Sequence, residues 1–531
     1  MRSRRFRIWM WILIFVLPPV GFILMLMRTD WSILRRVVTT FLIAIIGVAE
    51  LFVAVAGLRL HQRLGLDPSG DFSQFFYVRE SRAEHAARLE RDREKQRALA
   101  PPATVEAAPV PAPVESAPTK TAAAPAVPKP ARFSYWTDFR GPHRAGEYTQ
   151  GEILTTWPAA GLERLWKQPI GGGYASFTVG DGRAYTIEQR RDKETITAYD
   201  PESGRELWAF SYPAQFEEFM GGPGPRATPV YHEGLVYSLG ALGDFYCLDA
   251  RTGKPKWSKN ILTDNGAKNI QWAMSGAPLI VGDLVIVTPG GPGAAPTGQS
   301  AASNGKSIVA YNRITGEPAW RSLGDRAGYT SPILAELAGR KQIVWISAER
   351  AIGITLDDGK LLWEYPFPSM NDMNCSQPVL VDATHVLLSS EMGPGAALLE
   401  IQNNSDGQTA REVWKNNRFK NKFNSSVLRQ GYAYGFDSSI LACINVMTGE
   451  LKWKGGRYGF GQLLLAGDSL VVLTERGELV LVRATPESFQ EVAKFQAIEG
   501  KTWNIPAIDN GLLLVRNAAE MACFRLGKSS L

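Results

Sequence analysis

Few side chains in this sequence stand where they could do chemistry. The four cysteines, at 247, 375, 443 and 523, are scattered, and no two are adjacent. The five histidines (61, 85, 143, 232 and 385) lack any zinc-ligand spacing, and no DxDxDG-like calcium loop is present. GxSxG, Walker and GxGxxG fingerprints are missing from any strand-to-helix context; GGPGP (221–225) and GGPGAAP (290–296) read as loops. No catalytic residue and no metal ligand can be named, so whatever the chain does rests on the elements that build its surface.

Those elements repeat. Five segments align over eleven residues: AYDPESGRELW (198–208), CLDARTGKPKW (247–257), AYNRITGEPAW (310–320), GITLDDGKLLW (353–363) and CINVMTGELKW (443–453). A small residue comes first, usually Asp or Asn third, Gly seventh and Trp eleventh. Such a segment is a hairpin: Asp200, Asp249, Asn312 and Asn445 can bond the turn backbone, and Gly204, Gly253, Gly316, Gly359 and Gly449 suit a positive φ. The tryptophans, Trp208, Trp257, Trp320, Trp363 and Trp453, are large enough to wedge between neighbouring sheets, and Trp166 and Trp414 stand at matching places. Upstream of each copy recurs a small-Pro-apolar phrase leading into a β run, as in ATPVYHEGLVYSL (227–239) and GAPLIVGDLVIVT (276–288).

Joined, the phrases give four strands per unit over 174–208, 227–257, 276–320, 330–363, 376–414, 424–453 and 462–494, with three strands at 502–526. The orphan strand LERLWKQP (162–169) can complete the last unit and close a ring, which removes exposed edges. The expected fold is all-β: an eight-bladed β-propeller with tryptophan-docking repeats over 132–531, seven blades being the alternative. The long insertions fall where an outer strand leads to the next inner strand. Arg226, Trp272, Tyr329, Asn374, Asn424 and Trp503 lie just before inner strands, and are the candidate axial funnel for a partner. KNNRFKNK (415–422) reads as a solvated basic rim.

The eleven-residue motif resembles the tryptophan-docking repeat of the pyrroloquinoline quinone (PQQ) dehydrogenase superfamily, and is similar to the propeller repeats of the outer-membrane barrel-assembly lipoprotein. WTDFRGPHRAG (136–146), GPGPRATPV (222–230), LVIVTPGG (284–291), YTSPILAEL (329–337), FNSSVLRQGYAYGFD (423–437) and GKTWNIPAIDNGLLLVRN (500–517) resemble a bacterial group of PQQ-binding-like repeat proteins. In quinoprotein alcohol dehydrogenases the resemblance implies PQQ under a disulfide of adjacent cysteines, over a floor Trp, with Ca²⁺ on acidic and amide groups. Here no cysteines are adjacent, and Cys247, Cys443 and Cys523 occupy equivalent blade positions, as buried small residues do. No cofactor is expected, with PQQ and Ca²⁺ as the alternative.

The N-terminus is of another kind. Residues 8–27 are uncharged and long enough to span a bilayer, and 37–58 form a second apolar stretch broken only by Glu50. Two successive stretches favour a retained transmembrane hairpin over a signal peptide. Residues 59–100 are expected to include a solvated, charged juxtamembrane helix, and the Pro/Ala-rich 101–131 a stiff spacer reaching roughly 90 Å. Nine arginines face Asp30 and Glu50 in the first 63 residues, a surplus larger than the +6 of the whole chain. The propeller is therefore near neutral, which argues against nucleic acid as a partner. The sequence points to a multi-pass protein of a bacterial cytoplasmic (inner) membrane, its head a non-catalytic scaffold for a protein or extended polymer. The alternative is a PQQ-dependent oxidoreductase delivering electrons to the membrane.

Overall fold

Apolar runs of four to eight residues between Gly-centred turns make short strands, and their burial shows how the sheets stack. In blade 7 the strands Gln462–Ala466 and Ser469–Leu473 are buried along their whole length. Its outer strand Glu491–Gln496 alternates exposed and half-buried residues. Sheets buried on both faces must pack against neighbours on both sides, and a ring of them does so without end caps. The computed structural model describes residues 82–99, 134–292, 305–405 and 407–527, together with Ser32, Val38, Thr40, Phe41, Ile45 and Val48. The basic N-terminus, the two apolar stretches (those isolated positions aside) and the Pro/Ala-rich segment lie outside the described residues. Among the described residues no helix is long and apolar enough to cross a membrane.

After helix α1 (Arg82–Leu99) come strand β1 (Glu147–Tyr148) and strand β2 (Arg164–Pro169). Blade 1 follows as β3 (Thr178–Gly180), β4 (Arg183–Arg190), β5 (Lys193–Tyr199) and β6 (Glu206–Pro213), an antiparallel meander. Six more blades repeat this order at 230–260, 279–322, 333–366, 379–416, 427–457 and 462–496. Blade 8 contributes three strands, Ala507–Asp509, Leu512–Arg516 and Glu520–Arg525, and β2 pairs with the last of these as the fourth. The blades number eight, and the strand from 162–169 closes the ring. Chain ends from opposite termini thus share one sheet, so opening the ring means breaking that ladder.

Two features depart from the sequence reading. β1 adds to the inner edge of blade 7 as a fifth, parallel strand, pairing Glu147 with Leu465 and Tyr148 with Ala466. The helix, expected to be solvated, buries Leu89 and Arg93 at 3% and 2% exposure. Its alternating charges conceal one arginine that is not facing water.

Candidate functional site

The repeat motif has one task, to join blades. In the turn after β5, Asp200 Oδ1 accepts the amides of Glu202 (2.9 Å) and Ser203 (3.2 Å), an Asx turn that delivers Gly204 at φ 71°. Trp166 of the preceding blade lies over that glycine, where a Cβ would come within 2.6 Å of its ring. Its indole Nε1 donates to Pro201 O at 2.9 Å. Trp208 repeats this on Gly253 and Ala250 O, Trp257 on Gly316 and Arg313 O, Trp320 on Gly359 and Leu356 O, and Trp414 on Gly449 and Val446 O. Trp453 donates to Thr485 O at 2.7 Å. Trp363 differs, because blade 5 replaces the turn with a long hairpin between Gly395–Asn404 and Gly407–Asn416. It bonds Gln342 Oε1 of its own blade instead, at 2.6 Å.

The segment 134–148 enters the channel from the face carrying these turns. Arg144 donates to Ala277 O (3.2 Å), Pro332 O (2.7 Å) and Pro278 O, and pairs with Asp138 at 2.8 Å. Arg140, 1% exposed, donates to the carbonyls of Ser425 (3.2 Å) and Ser426 (2.9 Å), and burial pushes its guanidinium down to about 10. Blades 3, 4 and 6 are thereby pinned to one plug. Beside it a groove of about 470 Å³ runs along the inner strands of blades 4 to 6, past Leu334 and Leu380.

The opposite face collects the connections between blades, and rings gather there. Tyr174 stacks on Trp503 (centroids 5.4 Å, 28°), Trp503 packs on Phe423 (4.6 Å), and Phe423 meets Phe460 edge-on (5.7 Å). Each of these four residues comes from a different connection. Cations sit on the rings: Arg226 over Phe216 (4.6 Å) and Tyr174 (5.4 Å), Lys501 over Trp503 (4.4 Å), Lys422 over Phe460 (4.0 Å). Trp272 and Tyr329 form a further pair at 5.9 Å, and the Trp272 amide donates to the Tyr329 hydroxyl at 3.2 Å. The Trp503 indole donates to Glu475 at 2.7 Å, which fixes its ring.

Arg226 is held by carbonyls, donating to Gly221 O (3.3 Å), Gly222 O (3.0 Å) and Gly224 O, and among the described residues no carboxylate pairs with it. Burial pushes it down to about 10. Among the described residues the acid near this face with a strongly raised pKa is Glu194, fully buried, whose oxygens accept the Tyr212 hydroxyl (2.6 Å) and the Ala241 amide (2.9 Å). Burial pushes it up to about 7 against those two hydrogen bonds.

Of the six funnel candidates, the structure brings Arg226, Trp272, Tyr329 and Trp503 to this face as rings and charge. Asn374 and Asn424 lie beneath it, 1% and 0% exposed, with the Asn374 carbonyl accepting the Tyr329 amide at 2.8 Å and Asn424 next to Phe423 in the chain. Asn374 Nδ2 donates to Ser347 O and Phe367 O at 2.8 Å, and Asn424 Nδ2 to Gly461 O at 3.0 Å. They tie blade ends together. Tyr174, Phe216, Phe423, Phe460, Lys422 and Lys501 were not foreseen. The 415–422 loop is only partly a solvated rim: Phe419 is fully buried and Lys422 belongs to the belt.

The adjacent-cysteine disulfide that the quinoprotein resemblance implies is not present in this sequence. Among the described residues no three His, Cys, Asp or Glu side chains converge. Among those residues the buried oxygens without a hydrogen-bond partner are the amides of Asn374, Asn424, Gln462 and Asn504, the hydroxyls of Tyr174, Thr178, Ser238 and Ser390, and one oxygen each of Glu391 and Asp437. The four cysteines are free, and Cys247, Cys443 and Cys523 are buried in separate blades.

Comparison with known proteins agrees with this geometry. Residues 192–455 match a family model described as outer membrane protein assembly factor BamB. A curated protein of that name from Burkholderia pseudomallei (strain K96243) is 22% identical over 338 residues, 59% of this chain and 75% of the relative. Among solved structures, a europium-containing methanol dehydrogenase superposes with a TM-score of 0.53 at 12% identity, covering 73% of this chain and 90% of its own. A quinohemoprotein alcohol dehydrogenase from Pseudomonas putida HK5 gives 0.52 at 13%, covering 75% and 81%. The head is an eight-bladed β-propeller whose repeats are similar to those of the matched family. At these identities the structural likeness speaks for the fold alone.

Proposed function

We propose that this chain is a membrane-tethered scaffold whose connection face holds a protein partner and whose propeller performs no chemistry. The observation that carries the reading is the belt of Tyr174, Trp503, Phe423 and Phe460 with Arg226, Lys422 and Lys501 laid on it. Aromatic rings and arginine are the residues in which protein interfaces concentrate binding energy. Flanking Arg226, the exposed Phe219 and Met220 stand on the same insertion. The match to an assembly factor supports this reading, because that factor's name describes action on other proteins rather than on a small molecule. A tether in the bacterial inner membrane is supported by the apolar stretches 8–27 and 37–58. Val38, Phe41, Ile45 and Val48 are helical and at least half exposed, at a spacing that places them on one helix face.

The dehydrogenase reading shares the fold but not the adjacent cysteines of the quinoprotein resemblance. Titrating the full-length protein with PQQ and Ca²⁺ while recording absorbance separates the two. The scaffold reading expects no saturable spectral change; a stoichiometric one, with turnover of an alcohol or sugar, would replace it with the quinoprotein reading.

A further inference from the structure

The part of the molecule that neither blade packing nor the connection face uses is helix α1. Its residues from Ala86 onward lie on the blade 8–blade 1 seam, where β2 closes the ring. Arg93 Nη2 donates to Pro169 O of β2 at 3.0 Å and to the Tyr199 hydroxyl of blade 1 at 3.2 Å, and Nε lies 3.2 Å from Glu206. Gln96 continues the contact: its Nε2 reaches Gln168 Oε1 on β2 at 2.8 Å, and its Oε1 accepts the Glu206 amide of blade 1 at 2.9 Å. Glu90 pairs with Arg191 at 2.8 Å on the exposed margin. One helix therefore holds both sides of the closure.

The seam beneath is built to receive a cation. Glu188 is fully buried, and Arg190 bridges it (2.7 Å) to Glu206 (2.5 Å), with Tyr199 donating to Glu188 at 2.7 Å. Arg190 of the blade and buried Arg516 of blade 8 act on Glu188, and Arg93, itself paired with Asp92 at 2.8 Å, adds a guanidinium beside Glu188 and Glu206. Buried charge pairs are costly to break, so the helix is held by the Arg93 contacts as well as by Leu89.

We propose that residues 86–99 are a strap of the propeller, locked by Arg93 onto the closure seam, and that the Pro/Ala-rich segment 101–131 bridges two points of the same head. On the sequence alone that segment was a spacer between membrane and head. With the strap docked on one side of it and residues 134–148 in the channel on the other, it spaces nothing from the bilayer.

A protease site placed within 101–131 of the full-length protein in detergent tests this. After complete cleavage the propeller should stay bound to the N-terminal fragment through the strap and co-elute with it. Arg93→Glu, which sets a third acid against Glu188 and Glu206, should weaken that association at least about a hundredfold and release the propeller. Gln96→Cys with Gln168→Cys keeps Arg93 in place; a short bis-maleimide should join the two fragments across the cut. Release of the propeller from the cleaved wild type, retention indifferent to Arg93→Glu, or failure of the cysteine pair to cross-link would each overturn the proposal.

Discussion

Replacing Glu194 with glutamine should stabilise the propeller at pH 8 and change little at pH 5. The carboxyl lies fully buried between blade 1 and blade 2, and burial pushes it from 4.5 up to about 7. In the unfolded chain it ionises at the lower value, so between pH 4.5 and 7 the folded state holds a proton that the unfolded state has lost. Stability from this group is complete below about pH 4.5, falls as pH rises through 7, and is flat above. The span between the two values amounts to at most about 3 kcal/mol. Glutamine resembles the protonated acid: its oxygen can accept the Ala241 amide, and its NH₂ can donate to the Tyr212 hydroxyl, which serves as either donor or acceptor. For a head of roughly 390 residues, about 3 kcal/mol corresponds to a rise of about 4 °C in Tm. Melting curves of both proteins from pH 5 to 9 give the difference directly. A gap independent of pH, or a variant less stable than the parent at pH 8, would refute the reasoning.

Other consequences can be measured in the same material. Trp208→Ala should cost about 3–5 kcal/mol, chiefly by leaving a void over Gly253 and removing one of the two donors to Ala250 O, whereas Trp208→Phe should cost less; urea midpoints rank them. Arg144→Ala leaves the carbonyls of Ala277, Pro278 and Pro332 without this donor and Asp138 without its counter-charge, so the loss should reach about 3 kcal/mol, with faster amide exchange over 136–146. Burial pushes all four thiols up to about 12, so Ellman's reagent at pH 8 should label none in the folded protein and four after unfolding.

Much of the fold was legible because the repeat's physics is local. An Asx residue, a Gly and a Trp at fixed spacing write turn, strand and docking surface within eleven residues, and the ring count follows from repetition. Trp363 shows the limit: its motif looks complete, yet the glycine turn it needs belongs to blade 5, which lacks one. The connection face was legible as a place but not as a set of residues. Position before an inner strand does not separate a ring facing outward, as in Trp503, from an amide buried to cap a blade, as in Asn424. Tyr174, Phe423 and Phe460 become neighbours only when the ring closes. Arg140, Arg144 and Arg93 were hidden for the same reason, since their partners lie 76 to 286 residues away. Charged residues in mixed runs look solvated until such partners are known.

The central claim is that the connection face binds a protein. A photo-reactive amino acid at Phe460, compared with one at Ile314 on the opposite turns, tests it most directly in native membranes. The account predicts a discrete protein adduct from position 460 that Arg226→Glu abolishes, and none from 314. Equal adducts from both faces, or a 460 adduct indifferent to Arg226→Glu, would contradict it.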